Sequence, residues 1–554
     1  MNKKFILISI MLDLFLVYYV SAQSSGLDYN KAIDSFNKAE FARHLNFLGS
    51  DLFEGRGTGT PGGNLAAKYL ALEFDKIELK PIGSNNTYYQ YIPMHGSKPL
   101  PSSRFVLFSN EGDTELKLDN DYLLYQSGEQ TLIPYPIQLV FVGYGIIAPE
   151  FDYNDYQSVD VEGKIVVFID GEPNSKDKNF FDGENPTVYS SPEAKQRIAI
   201  SRGAKGSILI PNPVENKYFS WDKTVKDFAF ENVTLAYSVS SNFNSVINPQ
   251  TAPKLFKDSQ YSMHDIFEMH SANNMKSFPL QTKISFKGSF VDRDFIAPNI
   301  IGMIEGKDPE LKDTYLIVSA HYDHLGIGPA VKGDSIYNGV FDNAAGVSAV
   351  LEIAKTFSKL ENKPRRSIIF LLLTGEEKGL LGSKYYVDNP VVPLYKTVAD
   401  INIDGVASFD KFKSIVGIGS EYSTIHDFLE NTAKRFNLKV VPIPSHFIQV
   451  ESFSKSDQFS FAAAGIPSVL VAEGPDYVNL GKEEGLKKMI EYATKYYHTP
   501  FDDLNLPINY DAVIEHLQVL FSLIYDISNS DVKPEWNKGT PYINVRLRSI
   551  AEQK

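Results

Sequence analysis

The chain has 554 residues, of which 43% are hydrophobic, and it carries a formal net charge of −14 at pH 7. This length allows two or three domains with substantial cores. The acidic balance argues against nucleic acid or an anionic membrane surface as a partner, because both attract a basic face. The sequence contains no cysteine, which excludes disulfides and thiolate metal sites, so any metal must be held by His, Asp and Glu.

The N-terminus has the composition of a secretory signal peptide. Two lysines precede an apolar stretch at residues 5–20, and small residues follow at Ser21 and Ala22. We therefore expect residues 1–22 to be removed and the chain to be secreted to the periplasm or beyond. The alternative is an uncleaved membrane anchor, which Asp13 and the shortness of the stretch disfavour. No stable membrane insertion is expected after removal of the signal.

Between about residues 39 and 74 the sequence predicts a helix, a glycine-rich loop and a second helix. Thr60 is placed to cap the second helix, with Pro61 in its first turn. The glycines at residues 54–62 also suggest a phosphate-binding loop. That alternative is disfavoured because the loop follows a helix rather than a strand and lacks the Gly-Lys-Ser/Thr ending.

Residues 101–291 have a different sequence pattern, in which short strand-like runs alternate with turn residues. Strand-like runs occur at 137–141, 164–169 and 207–210, and a helix is predicted at 192–202. This pattern predicts a separate β-rich domain inserted into the chain. The expected organisation is a signal peptide at 1–22, the N-terminal part of the main domain at 23–100, the insert at 101–291, the main domain at 292–530 and a C-terminal extension at 531–554.

Strands and helices alternate across the main domain. Buried strands are expected at 315–320, 368–373, 397–403 and 466–471, and apolar residues between Val347 and Phe357 fall at helical spacing. Alternation of this kind predicts an α/β fold, a three-layer sandwich around a mixed, largely parallel sheet.

Polar residues follow three of these strands at the point where each strand ends. His321 follows the first strand, Glu376 and Glu377 follow the second, and Asp404 follows the third. In open α/β sheets the carboxyl ends of parallel strands meet at one crevice, where ligands bind. We therefore expect these side chains to lie together.

Two residues in turns complete a set of metal-ligand type. Asp342 lies in the turn 339–343 just before a helix, and His498 lies in the turn 497–500. Carboxylates rarely crowd together without a cation, because like charges and burial oppose it. Two Asp, one Glu and two His exceed what one catalytic zinc uses, but they fit two metals if one carboxylate bridges them. The alternative is that each residue is a helix cap or a surface charge.

The segments around these residues carry a family resemblance. They are Ser319–Asp323, Gly339–Gly346, Thr374–Glu377, Asn402–Gly405 and Tyr497–Asp502, together with the opening His44–Gly62. They resemble the motifs of the co-catalytic zinc aminopeptidases, a family that also includes glutamate carboxypeptidase, glutaminyl cyclase and transferrin receptor relatives. The insert resembles a protease-associated (PA) domain at Phe141–Gly145, Asp160–Val167 and Gly203–Gly206.

The resemblance implies a role for each predicted ligand. His321 and Asp404 would hold one zinc ion, and Glu377 and His498 would hold the other. Asp342 would bridge the two, which gives two Zn²⁺ per chain.

The resemblance also implies roles around the ligands. Glu376 would be the general base, and Asp323 would orient His321. The peptide bond between Asp342 and Asn343 would be cis.

Other polar residues near the motifs are weaker candidates. His324 is interpreted as a loop residue rather than a ligand. His446 and Gln449 lie in a loop that is a candidate lining of the substrate pocket. Gln458 stands where the family often has histidine.

The expected function is that of a secreted metal-dependent aminopeptidase, which hydrolyses N-terminal residues from peptides. The alternatives left open are a glutamate-carboxypeptidase-like carboxypeptidase, a glutaminyl cyclase and an inactive receptor-like binding protein. A carboxypeptidase needs a basic cluster for the C-terminal carboxylate, and the segments near the motifs offer lysines but no arginine set. The expected partners are peptide substrates and not nucleic acid, and the oligomeric state is left open.

Overall fold

The computed structural model describes residues 29–125, 131–177, 179–181, 183, 187–212, 219–444, 447 and 453–551. The predicted signal peptide at 1–22 lies outside the described residues, as do His446 and Gln449. None of the helices in the described part of the chain combines the length and the apolar character that a bilayer crossing requires.

The described residues fall into two compact units. One unit contains the residues up to Ile92 and those from Ala297 onwards, and the other contains Pro93–Ile296. The predicted boundaries of the insert, 101 and 291, fall inside the second unit.

The first unit is built on a mixed sheet whose inner strands run parallel. In pairing order its strands include Phe290–Ile304, Ser367–Leu373, Tyr315–His321, Thr397–Asn402, Ser468–Glu473, Ser414–Ile418 and Lys439–Val440, with Lys80–Pro81 also paired to the first. The four strands from Ser367–Leu373 to Ser468–Glu473 are parallel to one another. The strands that flank this set on either side, Phe290–Ile304 and Ser414–Ile418, are antiparallel to it.

Helices cover both faces of this sheet, because alternate residues of the inner strands point to opposite sides. Ile368 and Leu372 belong to one hydrophobic core, whereas Ile369 and Leu371 belong to another. The first core includes residues of the helices Lys38–Leu48, Pro61–Lys76, Ala345–Ser358, Ile425–Arg435 and Tyr510–Asn529. The second includes residues of Leu381–Asp388 and Gln458–Ala463, and two further helices are Gly481–Lys495 and Tyr542–Ala551. The predicted three-layer α/β arrangement is confirmed.

The helix Pro61–Lys76 begins as predicted from its capping residues. The side chain of Thr60 accepts a hydrogen bond from the main-chain N of Gly63 at 3.3 Å, and Pro61 is the first helical residue. The loop before it packs so closely that a Cβ at Gly62 would lie 1.8 Å from the carbonyl oxygen of Phe53. A glycine is therefore required at this point.

The second unit contains an eight-stranded sheet of mixed direction. In pairing order its strands are Gly112–Leu116, Arg104–Ser109, Ser277–Lys287, Leu132–Val142, Ile165–Ile169, Gly206–Ile210, Phe243–Ile247 and Tyr122–Leu124. Its helices include Pro192–Ser201, Trp221–Asp227 and Met263–Ser271. The resemblance of this unit to a PA domain stays a prediction.

Candidate metal centre

Three neighbouring parallel strands bring their carboxyl ends to one place in the first unit. His321 is the last residue of its strand, where it pairs with Leu373 of the adjacent strand. Glu376 and Glu377 follow Leu373 closely, and Asp404 comes two residues after its own strand ends at Asn402. The topology therefore delivers one histidine and three carboxylates to the same edge of the sheet.

His321 is at the centre of one cluster of ligand-type atoms. Its Nε2 lies 3.2 Å from Oδ1 of Asp404 and 3.3 Å from Oδ1 of Asp342. His321, Glu376 and Asp404 each offer an atom, and these atoms lie within 4.8 Å of one another. Imidazole nitrogen with carboxylate oxygens is a donor set that suits zinc.

His498 is at the centre of a second cluster. Its Nε2 lies 3.2 Å from Oδ2 of Asp342 and 3.2 Å from Oε2 of Glu377. The ring of Tyr497 stacks on the ring of His498, with centroids 3.8 Å apart. The tyrosine thus covers one face of the imidazole, while Nε2 faces the two carboxylates.

Asp342 connects the two clusters, because its two oxygens face different histidines. Oδ1 faces His321 and Oδ2 faces His498. This is the arrangement that a bridging ligand needs. The peptide bond between Asp342 and Asn343 is cis, which confirms what the resemblance implied.

Asp502 holds the turn that carries Asp342. Its Oδ1 accepts a hydrogen bond from the main-chain N of Phe341 at 2.9 Å, and its Oδ2 accepts one from the main-chain N of Asp342 at 3.1 Å. The hydroxyl of Tyr492 also donates to Oδ2 at 3.1 Å. Burial raises the pKa of Asp502 to about 6, although the main-chain donors work against this shift.

The polar atoms of the centre fit a pair of cations. Among the described residues, Nε2 of His498 and Oδ2 of Asp342 are buried and lie 3.2 Å apart, but neither makes a hydrogen bond of normal geometry. Burial lowers the pKa of His321, but the charges of Asp404 and Glu376 outweigh it and raise this pKa well above its usual value. Four carboxylates share this enclosed space, and their repulsion and desolvation require compensating positive charge.

Asp323 positions two members of the centre through different atoms. Nδ1 of His321 lies 3.1 Å from the main-chain oxygen of Asp323, whereas the carboxylate Oδ1 is 3.9 Å away. That Oδ1 instead accepts from the main-chain N of Glu376 at 3.1 Å, and Oδ2 accepts from the hydroxyl of Thr58 at 2.8 Å. Burial raises the pKa of Glu376 well above its usual range, with His321 opposing the shift and Glu377 adding to it.

Part of the chain that carries these residues matches a known protein family. Residues 299–524 match the family model of Peptidase family M28. The segment belongs to that family. The resemblance predicted from the motifs is thereby confirmed.

The individual relatives are more distant. Leupeptin-inactivating enzyme 1 from Streptomyces exfoliatus is 30% identical over 182 residues, which cover 32% of this chain and 36% of that protein. Leucine aminopeptidase 1 from Trichophyton rubrum is 24% identical over 242 residues, which cover 42% of this chain and 59% of that protein. The chain therefore spans less than two thirds of the length of either relative.

Among solved structures, an aminopeptidase from Aneurinibacillus sp. strain AM-1 has a similar fold. It aligns with a TM-score of 0.55 and 18% identity, and the alignment covers 92% of this chain and 98% of that one. This likeness agrees with the α/β fold class predicted from the alternation of strands and helices.

A hydrogen-bonded network orients Asp404 within the M28 segment. The hydroxyl of Ser456 donates to Oδ2 of Asp404 at 2.7 Å. Nδ2 of Asn402 lies 2.9 Å from both Oγ of Ser456 and Oε1 of Gln458. Gln458, which departs from the family pattern, thus takes part in this network.

The sequence predicts that His324 is a loop residue rather than a ligand, and the structure places this loop residue beside the candidate metal centre. Its side chain is fully buried, and Nδ1 lies 2.7 Å from Oε1 of Glu377. The one available signal was its position three residues after His321.

Arg56 is a second residue whose place at the centre the sequence did not indicate. Its guanidinium is fully buried and donates to main-chain oxygens on both sides of the candidate metal centre. The acceptors are the carbonyls of Leu48, Tyr322, Asn338 and Gly339, at 2.6 to 2.9 Å. Arg56 therefore ties the loop after His321 to the turn before Asp342.

Replacing Arg56 with methionine should strongly destabilise the first unit. The variant leaves four buried carbonyls without this donor, and a single buried unsatisfied group costs about 1–3 kcal/mol. We expect the free energy of unfolding to fall by about 3 kcal/mol or more, measured by urea denaturation. The matched control is Arg435→Met, which removes a side chain that is 42% exposed and paired with Asp526. If the two substitutions lowered the free energy of unfolding equally, the buried hydrogen bonds of Arg56 would not stabilise this unit more than an exposed ion pair does.

Proposed function

We propose that this chain is a zinc-dependent exopeptidase that releases residues from the N-terminus of peptides. The observation that carries the proposal is the division of the Asp342 carboxylate between two clusters, one around His321 and one around His498. Two metal positions that share one carboxylate suit hydrolysis, because both the water and the substrate carbonyl need a cation.

The residues divide into holders of metal and a group that moves protons. His321 and Asp404 would hold one zinc ion, Glu377 and His498 would hold the other, and Asp342 would be shared between them. When bound, the two ions would polarise a substrate carbonyl as Lewis acids and would lower the pKa of a bound water towards neutrality.

Glu376 takes the proton from the attacking water and returns it to the leaving amine. Its main chain is anchored on Asp323, and its carboxylate belongs to the same group of ligand-type atoms as His321 and Asp404. It is therefore close enough to the metal positions to accept a proton.

Three further observations bear on the proposal, two on cleavage at the N-terminus of the peptide and one on secretion of the enzyme. The relative from Trichophyton rubrum is called leucine aminopeptidase 1, and the segments near the motifs lack the arginine set that a C-terminal carboxylate favours. The apolar stretch at residues 5–20 supports secretion.

A panel of matched peptides tests the proposal. We expect cleavage of peptides with a free N-terminus, whether or not the C-terminus is amidated, and no cleavage after N-acetylation. A chelator should lower the rate more than about 100-fold, since metal-assisted and acid–base steps are lost together, and added zinc should restore it. The measurement is release of the N-terminal amino acid by chromatography.

Three outcomes would contradict the proposal. Preference for N-acetylated peptides with a free carboxylate would indicate a carboxypeptidase. Cyclisation of N-terminal glutamine without hydrolysis would indicate a glutaminyl cyclase. Zinc binding without turnover of any peptide would indicate a binding protein.

A further inference from the structure

His324 stands at the metal centre without a role in the predicted ligand set. Its ring is fully buried. Among the described residues, its Nε2 is buried without a hydrogen-bond partner. Its Nδ1 lies 2.7 Å from Oε1 of Glu377 and 3.7 Å from Oδ2 of Asp342.

The contact between His324 and Glu377 has a defined direction. A carboxylate that binds a metal is ionised and can only accept, so Nδ1 of His324 carries the hydrogen and donates it. The acceptor is Oε1, at 2.7 Å, while the other oxygen, Oε2, lies 3.2 Å from Nε2 of His498. One oxygen of Glu377 is thus occupied by His324, and the other faces the second metal position.

The backbone holds the His324 ring in this place from two sides. The main-chain N of His324 donates to the carbonyl oxygen of Arg56 at 3.3 Å. On the other side, a Cβ at Gly339 would lie 2.5 Å from Cγ of the His324 ring. The ring therefore packs directly on a glycine, and the direction of Nδ1 is fixed by its surroundings.

We propose that His324 is a positioning residue that sets Glu377 for the metal position shared with His498. By holding Oε1, it leaves Oε2 as the single ligand oxygen of Glu377. This inference rests on the proposed two-metal centre, but not on the reaction performed there. Its consequence is that the two metal positions depend differently on His324, because Nδ1 lies 2.7 Å from Glu377, a ligand of one position, but 3.7 Å from Asp342, the ligand that both positions share.

Three substitutions separate positioning from the mere presence of a buried ring. Asparagine places a donor where Nδ1 of histidine stands, glutamine places its amide nearer the position of Nε2, and leucine has no donor. We expect His324→Leu and His324→Gln to weaken zinc binding at one of the two positions by about 10- to 100-fold, the usual effect of losing a group that orients a ligand. His324→Asn should keep most of the affinity.

The measurement is zinc titration of the metal-free full chain against a competing chromophoric chelator, which gives two affinities. Matched controls are His44→Leu and His44→Asn, at a buried histidine that contacts Tyr69, Arg43 and Glu352. The thermal midpoint of each metal-free protein shows whether it is folded. If the leucine variant does not fold, the comparison of glutamine with asparagine carries the test.

A double substitution assigns the affected position. Once Glu377→Gln has weakened the second position, His324→Leu should add little, because the two residues act as a unit. In a chain that carries Asp404→Asn, His324→Leu should cause its full loss of zinc affinity, because Asp404 belongs to the other metal position. Equal losses in the asparagine and leucine variants, losses at both positions, or full additivity with Glu377→Gln would each overturn the proposal. Zinc binding is read without turnover, so a protein that binds two ions but cleaves no peptide would contradict the proposed activity and leave this inference standing.

Discussion

Glu376→Gln should lower kcat by about 100- to 10,000-fold, the usual contribution of positioned acid–base catalysis, while two zinc ions remain bound. Glutamine keeps the shape of the side chain but cannot accept a proton from water. Its main-chain N still donates to Asp323, so the loop should stay in place. KM should change little, because the substitution removes a group that acts in the transition state. The measurements are steady-state kinetics and elemental analysis of the same preparation.

The matched control for Glu376→Gln is the same substitution at the adjacent residue. Glu377 faces His498 through Oε2 and His324 through Oε1, so Glu377→Gln should release metal. The pair therefore separates loss of chemistry from loss of metal. Near-normal turnover in Glu376→Gln, or a loss of zinc equal to that in Glu377→Gln, would show that the two roles are wrongly assigned.

The parts of the centre that the sequence predicts are those that local pattern controls. His321 and Asp404 stand at the ends of buried strands, and alternation of strands and helices predicts that such ends converge. The start of the second helix is equally local, because Thr60 and Pro61 define a cap within four residues. Such features depend on spacing along the chain, which a single sequence displays directly.

The parts that the sequence does not predict depend on contacts between distant segments. Arg56 donates to carbonyl groups of Asn338 and Gly339, more than 280 positions along the chain. Every residue has a carbonyl, so the sequence gives no sign of which ones an arginine reaches. His324 is similar, because its partner Glu377 is 53 residues away and a lone histidine is more often a loop or core residue. Asp323 shows a subtler limit, since its main-chain oxygen rather than its carboxylate is nearest to His321.

Asp342→Asn should remove the connection between the two metal positions and with it nearly all activity. The substitution keeps the size of the side chain but replaces one of its two oxygens by an NH₂ group, whose lone pair is delocalised into the carbonyl and is not available to a metal. In the unsubstituted chain, Oδ1 of Asp342 faces His321 and Oδ2 faces His498. We expect no more than one zinc ion per chain at micromolar free zinc, and a fall in kcat/KM of about 1,000-fold or more, a transition-state loss of about 4 kcal/mol.

A second buried aspartate of the same sheet provides the control for Asp342→Asn. Burial raises the pKa of Asp400 well above its usual value, and its Oδ1 accepts from the hydroxyl of Ser319 at 2.8 Å. Asp400→Asn keeps the size of the side chain and an oxygen that can accept from Ser319, so this variant should keep both zinc ions and most of the activity. If burial and shape alone governed the centre, the two asparagine variants would behave alike. The bridging assignment fails if Asp342→Asn retains two zinc ions and turns over peptides as the Asp400→Asn variant does, because the second carboxylate oxygen would then be dispensable.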